Sequence, residues 1–330
     1  MMNKVHFLFL LTLVFLVSCK KEETNSVLES GNKPNSISVV IDDDLWNGDI
    51  GDSIRSTFAA PVLGLPQEEP IFTLNQFQSS LFSGINNNSR NLFVIKKENK
   101  SDFRIEENEY AKPQIVVHAS GKTLQEVMDT IQKNDSLIIQ AFKKSELKIF
   151  QNILKASGTK STDIKEKFNL LLTLTPKYNL VSKGKNFLWF KKELPSGNLS
   201  LTCYQIPLSS IKEDQDFNTQ IIKIRDSIGS KYIHGAVANT KMITETSYSP
   251  FVSKIKIAGR DTYETHGSWD LLHDFMSGPF VNYCILDPKN NRIIVLEGFL
   301  YAPSIQKRDL MFELEALCKS VQFLKFKNGK

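Results

Sequence analysis

The sequence predicts an α+β protein of two domains, with mostly antiparallel sheets covered by helices. Three observations predict it. Short β-branched and aromatic runs recur between clusters of Gly, Pro, Asn and Asp. One long stretch instead repeats apolar residues every three or four positions. A chain of 330 residues asks for two cores at ~150 residues per domain. Composition fits a folded protein: 41% apolar and 23% charged residues exclude a disordered chain, a collagen-like chain and a multi-span membrane protein.

Ile37 to Ile41 is a β-branched run ending at Asp42-Asp43-Asp44, which reads as a strand and a turn. Ser53 to Ala59 predicts a short helix closed by Pro61 and Pro66. Ile71 to Phe77, Asn91 to Ile95 and Gln114 to Ala119 predict strands. Thr123 then opens the long helix. Leu124, Val127, Met128, Ile131, Ile138, Phe142, Ile149 and Ile153 form its stripe, with Asn134-Asp135-Ser136 as a candidate break. Ser157 to Thr162 reads as a linker, so the boundary is placed there, between an N-terminal domain at 37–157 and a C-terminal one at 163–326.

In the second domain Leu170 to Thr175, Asn186 to Lys191 and Leu199 to Ile206 predict three successive strands. Phe217 to Ile228 predicts a helix capped by Gly229. Met242 to Tyr248, Val252 to Ile257 and Asp261 to Thr265 follow as strands, with Ala258-Gly259 as a hairpin turn. Phe280 to Leu286 and Arg292 to Tyr301 flank the turn Asp287-Pro288-Lys289-Asn290-Asn291. Both alternations of the last strand are apolar, which predicts burial on two faces. A final helix follows Pro303-Ser304, with Leu310, Met311, Leu314, Leu317, Cys318 and Val321 facing inward. This order of elements resembles the sandwich of PsbP-type extrinsic proteins, in which helices cover both faces of an antiparallel sheet.

The N-terminus predicts export. Lys4 precedes the apolar run Phe7 to Val17, which is too short for a membrane span of ~20 residues and suits a signal peptide over 1–18. Leu16-Val17-Ser18-Cys19 resembles the bacterial lipobox. Small residues before the cleavage point admit it to a peptidase, and only a thiol takes a thioether-linked diacylglycerol. Cys19 is therefore the expected lipid attachment site, with palmitate-type acyl chains holding the protein to a bilayer. Residues 19–36 read as a flexible tether reaching on the order of 20–25 Å.

Leu45-Trp46-Asn47-Gly48, the run Gly64 to Pro70, Arg225-Asp226-Ser227-Ile228, the run Asp274 to Phe280 and the run Glu297 to Pro303 resemble a family of Bacteroidetes lipoproteins with a domain of unknown function. Lys21-Glu22-Glu23 resembles the surface-export signal of such lipoproteins. These resemblances imply a cell-envelope address at the outer membrane, on its surface if the export signal acts, and no catalytic residues.

The net charge of +5 is spread among acids, as in Lys96-Lys97-Glu98, so no nucleic-acid partner is expected. Ser120-Gly121-Lys122-Thr123 has the strand-to-helix context of a phosphate loop, but Val116 stands where the first glycine belongs, and a helix cap is the plainer reading. Asp42 to Asp49 fails the EF-hand pattern at Leu45. His266, Asp270, His273 and Asp274 lie within nine residues, yet with His266 at a strand end they fix no shared face. Neither a metal nor another cofactor is expected. Cys203 and Cys318 fall on apolar faces and read as buried free thiols.

Four candidates remain besides that cluster. Trp46, Glu68 and Glu69 are candidate ligand contacts in loops, Trp46 otherwise being a core plug. Glu297, on the apolar alternation of the last strand, is a candidate catalytic carboxylate with His273 and Asp274; its plain alternative is a structural partner or a position beside a Gly298 bulge. The expected function is a membrane-anchored, non-catalytic binding or assembly module with an envelope protein or glycan partner. The alternative is an envelope hydrolase acting on peptide or glycan.

Overall fold

The computed structural model describes residues 28–31, 33–82, 87–212 and 214–325. Met1 to Ser18, Cys19 and the start of the tether lie outside the described residues. From Leu28 the chain is no longer a free tether: Leu28–Glu29 pairs with Ala111–Lys112, and Gly31 bridges to Ser89.

The first half holds β1 (Ser36–Val40), α1 (Asp43–Trp46), α2 (Asp49–Phe58), β2 (Thr73–Phe77), β3 (Asn91–Lys97), β4 (Asp102–Glu107), β5 (Ile115–Gly121) and α3 (Leu124–Ser157). Its sheet runs β2-β1-β3-β5-β4. The first three pairings are parallel and β4 joins antiparallel. Parallel neighbours need a crossover, and α1 and α2 supply it between β1 and β2. The near-continuous apolar runs of β1 and β3 are the mark of burial on both faces: Ile37, Val39, Phe93 and Ile95 face α2 and α3, while Val40, Leu92 and Val94 build a smaller cluster behind. β4 was not read from the sequence, because its strand alternates charges with Phe103 and Ile105 at an exposed edge.

The long helix is unbroken over 34 residues. No Gly or Pro interrupts it, and Asn134 stays helical by donating to the Thr130 carbonyl at 2.8 Å. Thr123 caps it by accepting from the Glu126 amide at 3.1 Å, and Glu126 returns to the Lys122 amide. Ser120-Gly121-Lys122-Thr123 therefore serves this helix start. The far end of α3 reaches the second core, where Leu154 is buried and Phe150 meets Phe312 edge-on at 6.3 Å.

The second half holds α4 (Thr162–Phe168), β6 (Asn179–Gly184), β7 (Phe187–Leu194), β8 (Gly197–Pro207), α5 (Phe217–Tyr232), β9 (Lys241–Thr244), β10 (Phe251–Ile257), β11 (Arg260–Leu272), β12 (Ser277–Asp287), β13 (Arg292–Tyr301) and α6 (Arg308–Lys319). Eight strands form one sheet in the order β6-β7-β8-β13-β12-β11-β9, with β10 also on β11. Every pairing is antiparallel. α4 and α6 cover one face and α5 the other, so helices cover both faces as the element order implies. β13 is buried on both: Ile294, Leu296 and Leu300 face α6, and Ile293, Val295 and Phe299 face α5.

Several sequence expectations are corrected. The linker is structured, since Thr159–Lys160 pairs with Thr173–Leu174 and α4 begins at Thr162. Gly229 lies inside α5, which runs on to Tyr232. No bulge occurs at Gly298, which stays in register with Leu201 and Val281. Its missing side chain instead makes room for Leu314 of α6, whose Cβ would stand 2.6 Å from a Gly298 Cβ. β11 is much longer than Asp261 to Thr265, and β9 ends at Thr244 rather than Tyr248. Cys203, Cys284 and Cys318 are buried free thiols; burial pushes Cys203 up beyond the ordinary thiol range and Cys284 up to about 12.

Candidate functional site

Glu297 has a structural partner. It is 2% exposed on the α5 side of β13. Arg225 of α5, equally buried, donates through Nε to Glu297 Oε1 at 3.0 Å, and Asn282 Nδ2 donates to Oε2 at 2.8 Å. Arg225 Nη1 continues to Thr244 Oγ1 at 3.0 Å, and Thr244 donates to Asp226 at 2.7 Å. The guanidinium also stacks on Phe280, 3.9 Å from the ring centroid. Every strong group here is satisfied inside the protein, so this network fixes α5 to the sheet. A signal for it was present in the sequence: Arg225 lies four residues after Ile221, on the buried stripe of its helix.

The candidate ligand residues separate. Trp46 packs on the N-terminal core beneath Arg55, whose guanidinium lies 4.6 Å from the ring centroid. Glu68 is exposed. Glu69 is buried and bonded: its carboxylate accepts from the amides of Lys307 at 2.7 Å and Arg308 at 2.9 Å. The start of α6 has no side-chain cap of its own, since Lys307 stands at the N-cap. Glu69 supplies one from the other half of the chain and sets a negative charge at the positive end of the helix dipole. Arg308 answers by donating to the Pro70 carbonyl at 3.0 Å.

Glu69 closes a strap. Pro61 bridges to Pro70, and the Val62 amide donates to the Glu69 carbonyl at 2.8 Å. At the tip Gly64 has φ +82°, and a Cβ there would stand 2.9 Å from His266 Cβ. Glycine is required on both counts. The strap thus lies across β11.

Beneath and beside it opens a cleft of about 460 Å³, lined by Gly64, Leu65 and Pro66 of the strap, by Glu245 to Phe251, and by β11 and the start of β12. This volume is in the range of small-ligand sites. The length of β11 corrects the expectation for the histidine cluster. His266 and Asp270 both lie mid-strand, on one face with Glu264 and Ser268, about 13 Å apart by strand rise. His273 and Asp274 fall beyond the strand: His273 is exposed with φ +68°, and Asp274 accepts from the Phe275 amide at 2.7 Å. The four therefore do not converge. Among the described residues no three His, Cys, Asp or Glu side chains come together to hold a metal ion.

Along β11 beyond the cleft lining, burial alone would raise the Glu264 carboxyl, but His266 at 3.5 Å and Lys319 at 2.8 Å outweigh it and hold it well below the usual carboxylate range. At the cleft itself, β9 stops because Glu245 turns its carboxylate onto the Ser247 amide and Pro250 follows. Hydrogen bonding by Ser247 holds Glu245 below its ordinary value. The Asp270 side chain has no hydrogen-bond or ion-pair partner among the described residues. Burial raises its carboxyl, with a further push from Glu245. Tyr248 and Phe251 line the same space and stand 80% and 51% exposed. Sequence reasoning missed Glu245, Tyr248 and Phe251, because Met242 to Tyr248 looked like uninterrupted strand.

Residues 157–320 match the family model described as a domain of unknown function (DUF4837), and residues 30–155 match a second such domain (DUF8532). No curated protein matches the chain. Among solved structures, the chain is similar to the Ran-binding protein Mog1p of Saccharomyces cerevisiae at 6% identity and a TM-score of 0.32, over 51% of this chain and 96% of that one. It is also similar to LpqN of Mycobacterium tuberculosis, involved in cell envelope biogenesis, at 11% identity and a TM-score of 0.29, over 46% and 81%. Human StAR-related lipid transfer protein 5 is similar at 9% identity and a TM-score of 0.23, over 55% and 98%.

Proposed function

We propose that this protein is a Bacteroidetes-type lipoprotein, held at the outer membrane of the cell envelope through acylated Cys19, and that it acts as a non-catalytic binding module. Its ligand seat is the cleft between the strap and β11, and its partner is an envelope protein or glycan. One observation carries the reading: an unpartnered carboxylate, Asp270, and two exposed aromatic side chains, Tyr248 and Phe251, converge on one cavity. Exposed aromatic rings and a carboxylate with no internal donor are the groups a ligand contact uses. The hydrolase alternative loses its leading candidate, because Glu297 is enclosed by Arg225 and Asn282.

The test is affinity purification after crosslinking in intact envelopes, comparing wild type with a Tyr248→Ala, Asp270→Asn double variant. The reading expects one partner recovered reproducibly with wild type and lost with the variant. A protein that captures nothing and stays monodisperse contradicts it. The anchor is tested separately by Cys19→Ala, which should leave the membrane fraction and lose fatty-acid label; a variant that keeps both overturns lipidation.

A further inference from the structure

We infer that the cleft receives an uncharged carbohydrate, an inference that rests on the cleft being the ligand seat. Charge narrows the ligand first. No lysine or arginine lines the cavity, whereas Glu245 and Asp270 both do. The two carboxylates are diagonal neighbours on one face: Ile243 pairs with Asp270, and the Glu245 amide donates to the Ser268 carbonyl at 2.9 Å. A phosphate, sulfate or carboxylate placed here meets two negative groups and no lysine or arginine, and the one imidazole in the lining, His266, is turned to Glu264 at 3.5 Å.

A peptide strand is disfavoured for a different reason. β11, the floor of the cleft, is already paired by β12 along one edge and by β9 and β10 along the other, so it leaves no ladder open for strand addition within the cavity. The cavity offers side chains instead. Glu245 is engaged by its own loop, which leaves Asp270 as the open acceptor. A sugar hydroxyl can donate to Asp270, and others can exchange hydrogen bonds with Ser247, Ser268 and Ser277. Tyr248 and Phe251 supply apolar ring faces for the C–H face of a pyranose. Hydroxyls, one open carboxylate and aromatic walls together match a neutral polyhydroxyl ligand.

The experiment titrates the full chain in detergent micelles, by calorimetry, with neutral oligosaccharides from glucan, mannan, xylan and chitin. A sulfated oligosaccharide and a lysine-rich peptide are the contrasting probes. The expected result is saturable binding of at least one neutral series, weakened roughly tenfold by Tyr248→Ala and by Asp270→Asn and unchanged by Ile153→Ala on the remote face of α3. Binding of the sulfated probe at equal strength overturns the charge argument. Cleft-dependent binding of the peptide alone overturns the carbohydrate while leaving the cleft as the seat. Binding of no probe overturns the carbohydrate, and the envelope crosslinking result then decides whether the cleft reading falls with it.

Discussion

Two carboxylates in the C-terminal domain, Glu297 and Asp270, look alike in the sequence and differ completely in the folded protein. Both sit on long central strands among apolar neighbours. Glu297 is sealed under α5 and receives hydrogen bonds from Arg225 and Asn282. Asp270 lies on the opposite face of the sheet, in a cleft, beside a second carboxylate and with no internal donor. The difference teaches that burial alone does not mark a functional acid. A carboxylate whose lone pairs are filled by the protein holds the fold together, and one left open is available to something else.

The largest effect should come from breaking the closed site. Glu297→Gln removes the charge that compensates Arg225, and a buried ion pair broken on one side costs about 3–5 kcal/mol. Urea unfolding should show that loss, with ligand capture per folded molecule unchanged. A loss below about 1 kcal/mol would mean that the network is not holding α5.

How far this contrast was legible in the sequence follows from distance along the chain. The two-sided burial of β13, the long helix and the buried cysteines were readable, because each depends on periodicity within one element. The partners were not. Arg225 and Glu297 lie 72 residues apart, and Glu69 caps a helix 238 residues away. The missing cap at Lys307 was a local hint that an outside carboxylate was needed. The cleft stayed hidden because Glu245 ends β9 through a bond to its own loop, which no alternation pattern records.

Smaller effects sharpen the comparison. Glu69→Ala should cost about 1–2 kcal/mol through the lost cap of α6, and should also speed hydrogen exchange across residues 61–70, since the strap is tied down there. Unchanged exchange would show that the strap is held without it.

Glu264 makes the pH arm. Its folded carboxyl titrates below its unfolded value, so the unfolded state takes up the proton first. The stabilisation is full above the ordinary carboxylate range and is lost as pH falls through it towards the folded value. Lys319→Met should therefore flatten the acid limb of the stability profile. An unaltered limb would place the acid sensitivity elsewhere.

The smallest effect on stability should be that of Tyr248→Ala, within about 0.5 kcal/mol, because the ring is exposed. Opposite outcomes at Glu297 and Tyr248, stability in one and binding in the other, are the signature of a closed site and an open one.

A photoreactive amino acid placed at position 248, or at the exposed position 153 of α3, and activated in living cells tests the central claim most directly. Adducts to a single envelope component from 248 and none from 153 are the predicted result. Adducts from 153 with none from 248 would contradict the cleft as the binding seat.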